Sequence, residues 1–124
     1  MQKSPQQIRL GKLGEDIACV FLSKKGYKIL QRNFKARYGE LDIIALYENT
    51  LVFIEVKTRT NLRFGTPEEA ITPRKLHELI QTAQYYVLLH PELPKLLRID
   101  VIGIMMDEIS EQVQRIIHTE NITS

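Results

Sequence analysis

Four ionisable side chains interrupt two of the most apolar stretches of the chain. Glu40 and Asp42 stand in ELDIIALY, and Glu55 and Lys57 stand in LVFIEVKT. Burying a carboxylate or an ammonium inside a sheet is costly unless the charge is paired or holds a cation. Side chains two apart share a strand face, so Glu40 lies with Asp42 and Glu55 with Lys57. If Asn49-Thr50 closes the two stretches as a two-residue hairpin loop, Asp42 falls opposite Lys57 and Ile44 opposite Glu55. Asp42 and Glu55 are then diagonal neighbours on one face, roughly 7–8 Å apart along the backbone. A divalent cation bridges such a pair, each metal–oxygen bond spanning about 2.1 Å. A slip of one residue would send the pair to opposite faces.

Two carboxylates and an ammonium suit phosphodiester hydrolysis. Hard oxygen ligands favour Mg2+ or Mn2+, and the Val56 carbonyl lies between Glu55 and Lys57 as a further ligand. Such a metal polarises a phosphoryl oxygen and lowers the pKa of a bound water. Lys57 is placed to orient that water, help deprotonate it, or stabilise developing negative charge. The competing reading is a cross-strand Asp42–Lys57 ion pair with Glu55 solvated at a strand end. An E-x-K tripeptide by itself is common and does not separate the two.

The elements that must position these groups read as α-β-β-β-α-β, with a short further strand. Residues 1 to about 10 are polar and expected to be loose. A helix is expected from near Gly11, with Leu13, Ile17, Ala18, Val20 and Phe21 at helical spacing and Gly26 ending it. Strands are expected over 27–34, 40–47 and 51–58. A loop over 59–71 leads to Thr72-Pro73, an N-cap followed by proline at the first helical position. That helix runs through Leu76, Leu79, Ile80, Ala83 and Val87 until Pro91. Residues 96–106 read as a buried strand and 113–118 as a last one, before a polar tail. The middle strands are apolar on both faces, which places them inside a sheet covered on both sides. The expected fold is a single α/β domain over residues 1–124, a mixed sheet with helices on its faces.

The larger pattern is more specific than its parts. Gly14-Glu15 on the first helix, Gly39-Glu40-Leu41-Asp42-Ile43-Ile44 on one strand and Phe53-Ile54-Glu55-Val56-Lys57-Thr58-Arg59 on the next resemble the YraN-like family, also called UPF0102. That family is a predicted branch of the PD-(D/E)xK, or restriction-endonuclease-like, nucleases, close to archaeal Holliday-junction resolvases. The resemblance runs from about Lys12 to Met106. It implies a restriction-endonuclease-like αβββαβ core, with Asp42 and Glu55 as metal ligands and Lys57 as the catalytic lysine. It also matches Glu15 to an acidic residue that completes the metal site in resolvase-like members. Leu41 departs from the pattern, replacing the proline of the motif name. Some relatives use a helix glutamine near the site, which brings in Gln84. Resolvase-like members act as dimers, which implies a homodimer here.

Two residues keep a second reading. Glu15 in a first helical turn would also complement the helix dipole. Glu40 would act as a further ligand or pair with Arg59. Arg59, Arg63, Lys35, Arg37, Arg74 and Lys75 are candidates for sequence-independent phosphate contacts, against the alternative of a solvated face. Arg59 is the foremost of these, sharing the face of Glu55 and Lys57.

The 124 residues are 44% hydrophobic and 26% charged, with a net charge of +2, a composition that points neither to disorder nor to a membrane protein. Cys19 is the single cysteine, so an intramolecular disulfide and a cysteine-rich zinc site are excluded, and a reducing, cytoplasmic setting fits. His77, His90 and His118 lack metal-ligand spacing. Ser23, Ser110 and Ser124 sit in no nucleophile-elbow context, and no glycine-rich phosphate loop occurs. The expected function is a Mg2+- or Mn2+-dependent endonuclease acting on DNA, including branched or single-stranded forms. The rivals are a nucleic-acid-binding module without significant catalysis and a partner-binding protein whose charged hairpin is an ion-pair cluster.

Overall fold

The computed structural model describes residues 2–63 and 65–123. Met1, Phe64 and Ser124, which the sequence reading assigns to the N-terminal segment, the 59–71 loop and the tail, lie outside the described residues. The elements are α1 (Pro5–Lys24), β1 (Lys28–Ala36), β2 (Gly39–Tyr47), β3 (Thr50–Arg59), a 3-10 turn (Glu68–Ala70), α2 (Pro73–Leu89), β4 (Leu96–Met106) and β5 (Val113–Thr119).

The first helix starts earlier than its apolar stripe suggests. Ser4 caps it, its hydroxyl accepting from the Gln7 N–H while the Gln7 side chain accepts from the Ser4 N–H. This reciprocal box, with Pro5 in the first turn, nucleates a polar turn that shows no inward stripe of its own. The buried face is Leu10, Gly14, Ala18 and Leu22, with Leu13 and Ile17 half-buried beside it. Val20, expected inward, is 55% exposed. At Gly14 the helix backbone meets β3 so closely that a Cβ there would overlap the Thr58 hydroxyl. The second helix begins as the sequence indicates, with the Thr72 hydroxyl accepting from the Lys75 N–H at 3.1 Å and Pro73 following.

Five strands form one sheet in the order β1-β2-β3-β4-β5. The β1–β2, β2–β3 and β4–β5 pairs are antiparallel, and β3 and β4 are parallel. A parallel pair needs a crossover, and α2 supplies it. Each face of the sheet carries one helix and one apolar cluster. Leu10, Ala18 and Leu22 of α1 pack with Ile43, Ala45, Val52, Ile54, Ile102 and Ile104. Leu79, Ala83 and Tyr86 of α2 pack with Leu41, Ile44, Leu51, Phe53 and Ile99. The mixed sheet with a helix on each face is consistent with a restriction-endonuclease-like core.

The β2–β3 hairpin closes one step earlier than expected. Its loop is Glu48-Asn49, and Tyr47↔Thr50, Leu46↔Leu51 and Ile43↔Ile54 are partners. Glu48 takes φ 53, a left-handed conformation that turn rules assign more readily to asparagine. Each partner therefore moves by two residues, which preserves the face. Continuing the register by one step puts Asp42 opposite Glu55 instead of Lys57.

Strand alternation also breaks at Asp42. Leu41 and Ile44 join the α2 cluster, whereas Ile43 and Ala45 join the α1 cluster. Across the β1–β2 ladder, between the pairs Phe34↔Leu41 and Arg32↔Ile43, stands Asn33 with φ 54. A left-handed residue inside a strand reverses the sense of alternation locally, and asparagine tolerates it better than most.

Asp100 on β4 is a further carboxylate in an apolar run. It is fully buried. The His118 ring nitrogen Nε2 lies 2.8 Å from it, Arg98 Nε donates at 3.0 Å, and the Asn121 N–H donates at 2.9 Å. Arg98 also donates to the Tyr27 hydroxyl and pairs with Glu120 at 3.1 Å. Burial alone would raise the Asp100 pKa, but these hydrogen bonds outweigh it and hold the carboxyl below its ordinary value.

Candidate active site

The β2–β3 ladder ends at Ile43↔Ile54, and beyond it the two strands part. The Val56 N–H of β3 donates to the Asp42 carboxylate (Oδ2) at 2.8 Å. One strand's side chain thus takes the place of the other strand's backbone, and Asp42 is held in a fixed position beside β3. Glu55 is 3% exposed. Its Oε2 faces two ammonium groups, Lys57 Nζ at 3.5 Å and Lys75 Nζ of α2 at 3.4 Å.

Asp42 is half-buried, and its pKa is pushed up from 3.8 to about 8. Burial is the main cause, followed by the negative charge of Glu55. The Val56 N–H pulls the other way, and a hydrogen bond with Glu55 and the charge of Glu15 push upward again. A carboxyl so raised marks a poorly solvated place in which two ammonium groups meet Glu55 and none of the described cations pairs with Asp42.

These groups line one cleft of about 390 Å3. Its walls include Glu15 and Gln7 of α1, Glu40 and Asp42 of β2, Glu55 to Arg59 of β3, and Lys75 of α2. The sequence-derived set Asp42, Glu55, Val56, Lys57, Glu15, Glu40 and Arg59 is therefore brought together. The α1 start at Pro5 puts Glu15 in mid-helix, which removes its helix-dipole reading. Glu15 turns toward Arg32, whose guanidinium lies 3.5 Å from it and 2.8 Å from Asp16. No ion pair joins Glu40 to Arg59 among the described residues. The Arg59 Nε is buried and has no hydrogen-bond partner there.

Other candidates stand outside the cleft. Arg63, Lys35 and Arg37 are exposed, and Arg37 lies over its neighbour Tyr38, 5.8 Å from the ring centre. Gln84 is also exposed, because the inward face of α2 is Leu79, Thr82, Ala83 and Tyr86, and position 84 falls on the other side. The reach of Lys75 to Glu55 was missed. Lysine at the start of a helix reads as a surface cation, and only the α2–β3 packing reveals its partner.

The donors present suit a hard divalent cation. Asp42, which no described cation meets, and Glu55, which Lys57 and Lys75 face, offer carboxylate oxygens side by side, and Mg2+ is commonly held by one or two carboxylates with retained waters. Among the described residues no three His, Cys, Asp or Glu side chains converge as a metal-holding group, so Glu15 is not a third ligand in this geometry. No described helix is long and apolar enough to cross a membrane.

Comparison with known proteins matches residues 14–104 to the model of the family described as Uncharacterised protein family UPF0102. A UPF0102 protein of Syntrophomonas wolfei is 45% identical over 88% of this chain and 95% of its own length. One of Caldanaerobacter subterraneus is 42% identical over 96% of this chain and 98% of its own. One of Caldicellulosiruptor saccharolyticus is 47% identical over 82% and 86%. The match takes in Gly14-Glu15, Asp42 and the Glu55-Val56-Lys57 tripeptide, and the chain belongs to the UPF0102 family.

Proposed function

We propose that this chain is an endonuclease that hydrolyses phosphodiester bonds in nucleic acid, DNA in the first place, including branched or single-stranded forms, with Mg2+ or Mn2+. The observation that carries the reading is the convergence of Asp42, Glu55 and Lys57 on one cleft, with Asp42 set apart from the fully buried Asp100 by its surroundings. Asp100 is met by donors on every side and its pKa falls, as in a structural ion-pair cluster. Asp42 has one donor among the described residues, the Val56 N–H, and burial followed by the charge of Glu55 raises its pKa to about 8. A protein does not profit from such a pair unless something positive is to come between them.

Asp42, Glu55 and the Val56 carbonyl would hold the metal. Bound there, it would supply Lewis-acid polarisation of the phosphoryl oxygen and a water of lowered pKa. Val56, through its N–H, fixes the Asp42 carboxylate. Lys57 stands at Glu55, where its ammonium can orient the attacking water and stabilise charge developing on phosphate. Arg59 lies farther along β3 in the same cleft, where its guanidinium would meet a backbone phosphate. Lys35, Arg37 and Arg63 would act as outer, sequence-independent contacts. The reaction would take place in the cytoplasm, and a four-way junction would be cut by a homodimer, since it offers two symmetric scissile bonds.

The test is a labelled panel of duplex, single strand, flap, four-way junction and RNA, with Mn2+, for wild type and Asp42→Asn. Cutting that is lost in Asp42→Asn, with the fold retained, is expected. Equal turnover in both would remove Asp42 from the site. Binding without cutting by wild type would favour a nucleic-acid-binding module instead.

A further inference from the structure

Lys75 occupies a position that local physics disfavours. It lies in the first turn of α2, where the helix dipole repels cations, beside Arg74 and with no acidic residue in that turn. Arg74 is turned outward and pairs with Glu78 of its own helix at 3.5 Å. Lys75 instead reaches across to β3, to the Glu55 oxygen that Lys57 also faces. Its side chain keeps 31% of its surface exposed and lines the cleft. Neither its hydrogen-bonded backbone N–H, taken by Thr72, nor its helical position requires the ammonium to point this way. A residue set against its local preference is a signature of function.

We propose that Lys75 is the exchangeable counter-cation of the site and a binding group for the phosphate to be cut. Without a divalent ion, its ammonium neutralises Glu55. When the ion takes over that carboxylate, Lys75 is released within the cleft and turns to a non-bridging phosphate oxygen. Lys57 follows Glu55 by two residues on the same strand and keeps its place, whereas Lys75 comes from another element and has a second position open to it. The inference rests on the proposed metal-dependent hydrolysis and extends it by assigning a second lysine, on α2, to substrate.

Removal of Lys75 then has opposite effects on metal and substrate. Mn2+ affinity, measured by titration calorimetry without nucleic acid, should tighten several-fold in Lys75→Ala, because a competing cation is gone. Cleavage should weaken by at least about 30-fold in kcat/KM, the scale of one lost charge-assisted contact to phosphate. Lys75→Arg, which keeps the charge, should hold wild-type Mn2+ affinity. Unchanged or weakened Mn2+ binding in Lys75→Ala, with wild type binding normally, would overturn the exchange. Tighter Mn2+ binding with undiminished cleavage would overturn the phosphate role. Failure of wild type to bind Mn2+ would overturn the metal reading of the site, and the exchange with it.

Discussion

Asp42 and Asp100 both enter the chain as aspartates inside apolar strands, and the fold gives them opposite electrostatics. For Asp42 the sign of the consequence is definite. Its folded pKa, about 8, lies above its value of 3.8 in an unfolded chain. The folded state therefore binds the extra proton, and metal-free stability attributable to this group is full below about pH 4 and declines as pH rises toward 8. Asp42→Asn removes that decline. Between pH 5 and pH 8.5 the urea stability of wild type should fall relative to Asp42→Asn by at least about 1 kcal/mol, the equivalent of one pKa unit. Parallel stabilities across that range would show that Asp42 titrates normally. Mn2+ should close the gap at pH 8.5, since an ion bound by the folded state alone stabilises it. At the residue scale much of the site was legible: charges in apolar runs at i, i+2 spacing singled out Asp42, Glu55 and Lys57 before any geometry. Lys75 is legible as a cation for phosphate but its pairing with Glu55 is not, because that partner is distant in sequence, and Gln84 falls outside the cleft because a helix face depends on which residues the helix buries.

At the scale of elements, α2 and β4 were readable to the residue at their starts, through Thr72-Pro73 and the apolar run after Pro94. Other features rest on backbone conformations that residue type does not announce. The hairpin turn was misread by one step because Asn49 was expected to open the loop, whereas Glu48 takes the left-handed position. Asn33 was read as an ordinary strand residue, yet its φ of 54 coincides with the switch in alternation that presents Asp42 at the parting of β2 and β3. Substitution there separates backbone from side chain. Asn33→Gly should be tolerated, whereas Asn33→Val, which resists that conformation, should cost about 1–2 kcal/mol and weaken Mn2+ binding along with stability. Equal stability of the two variants would show that the bend does not depend on position 33. The capping box of Ser4 and Gln7 was legible in principle, as serine followed three residues later by glutamine, but the polar first turn offered no apolar stripe to draw attention to it.

At the scale of the molecule, the two faces of the sheet are locked by different means. The α2 face is apolar apart from the site at its edge, and the α1 face carries the Asp100 network that joins β4, β5 and the Tyr27 segment. Asp100 has a folded pKa below 3.8, so its stabilising contribution is present above that value and is lost as pH falls through the folded pKa. Removing its charge leaves the mostly covered Arg98 side chain and the His118 ring without their shared acceptor. Asp100→Asn should therefore destabilise by about 3–5 kcal/mol at neutral pH, with the loss shrinking below pH 4. A thermal midpoint unchanged from wild type at pH 7 would show that the network contributes no net stability. The two carboxylates thus limit stability at opposite ends of the pH scale, the Asp100 contribution being lost toward acid and the Asp42 contribution toward base unless a cation meets Asp42. The architecture was legible from the order of periodicities. The Asp100 network was not, because Arg98, His118 and Tyr27 are unremarkable in sequence until β4 and β5 pair.

The most direct test of the central claim is Mn2+-dependent cleavage of the preferred substrate by wild type beside Lys57→Ala. Lys57 leaves the fold and the two carboxylates in place, so the comparison isolates chemistry from architecture. Cleavage by wild type that needs the metal and falls by about 100-fold or more in Lys57→Ala is the expected result. Equal cleavage by the two proteins would contradict the assignment of this cleft as the site of hydrolysis.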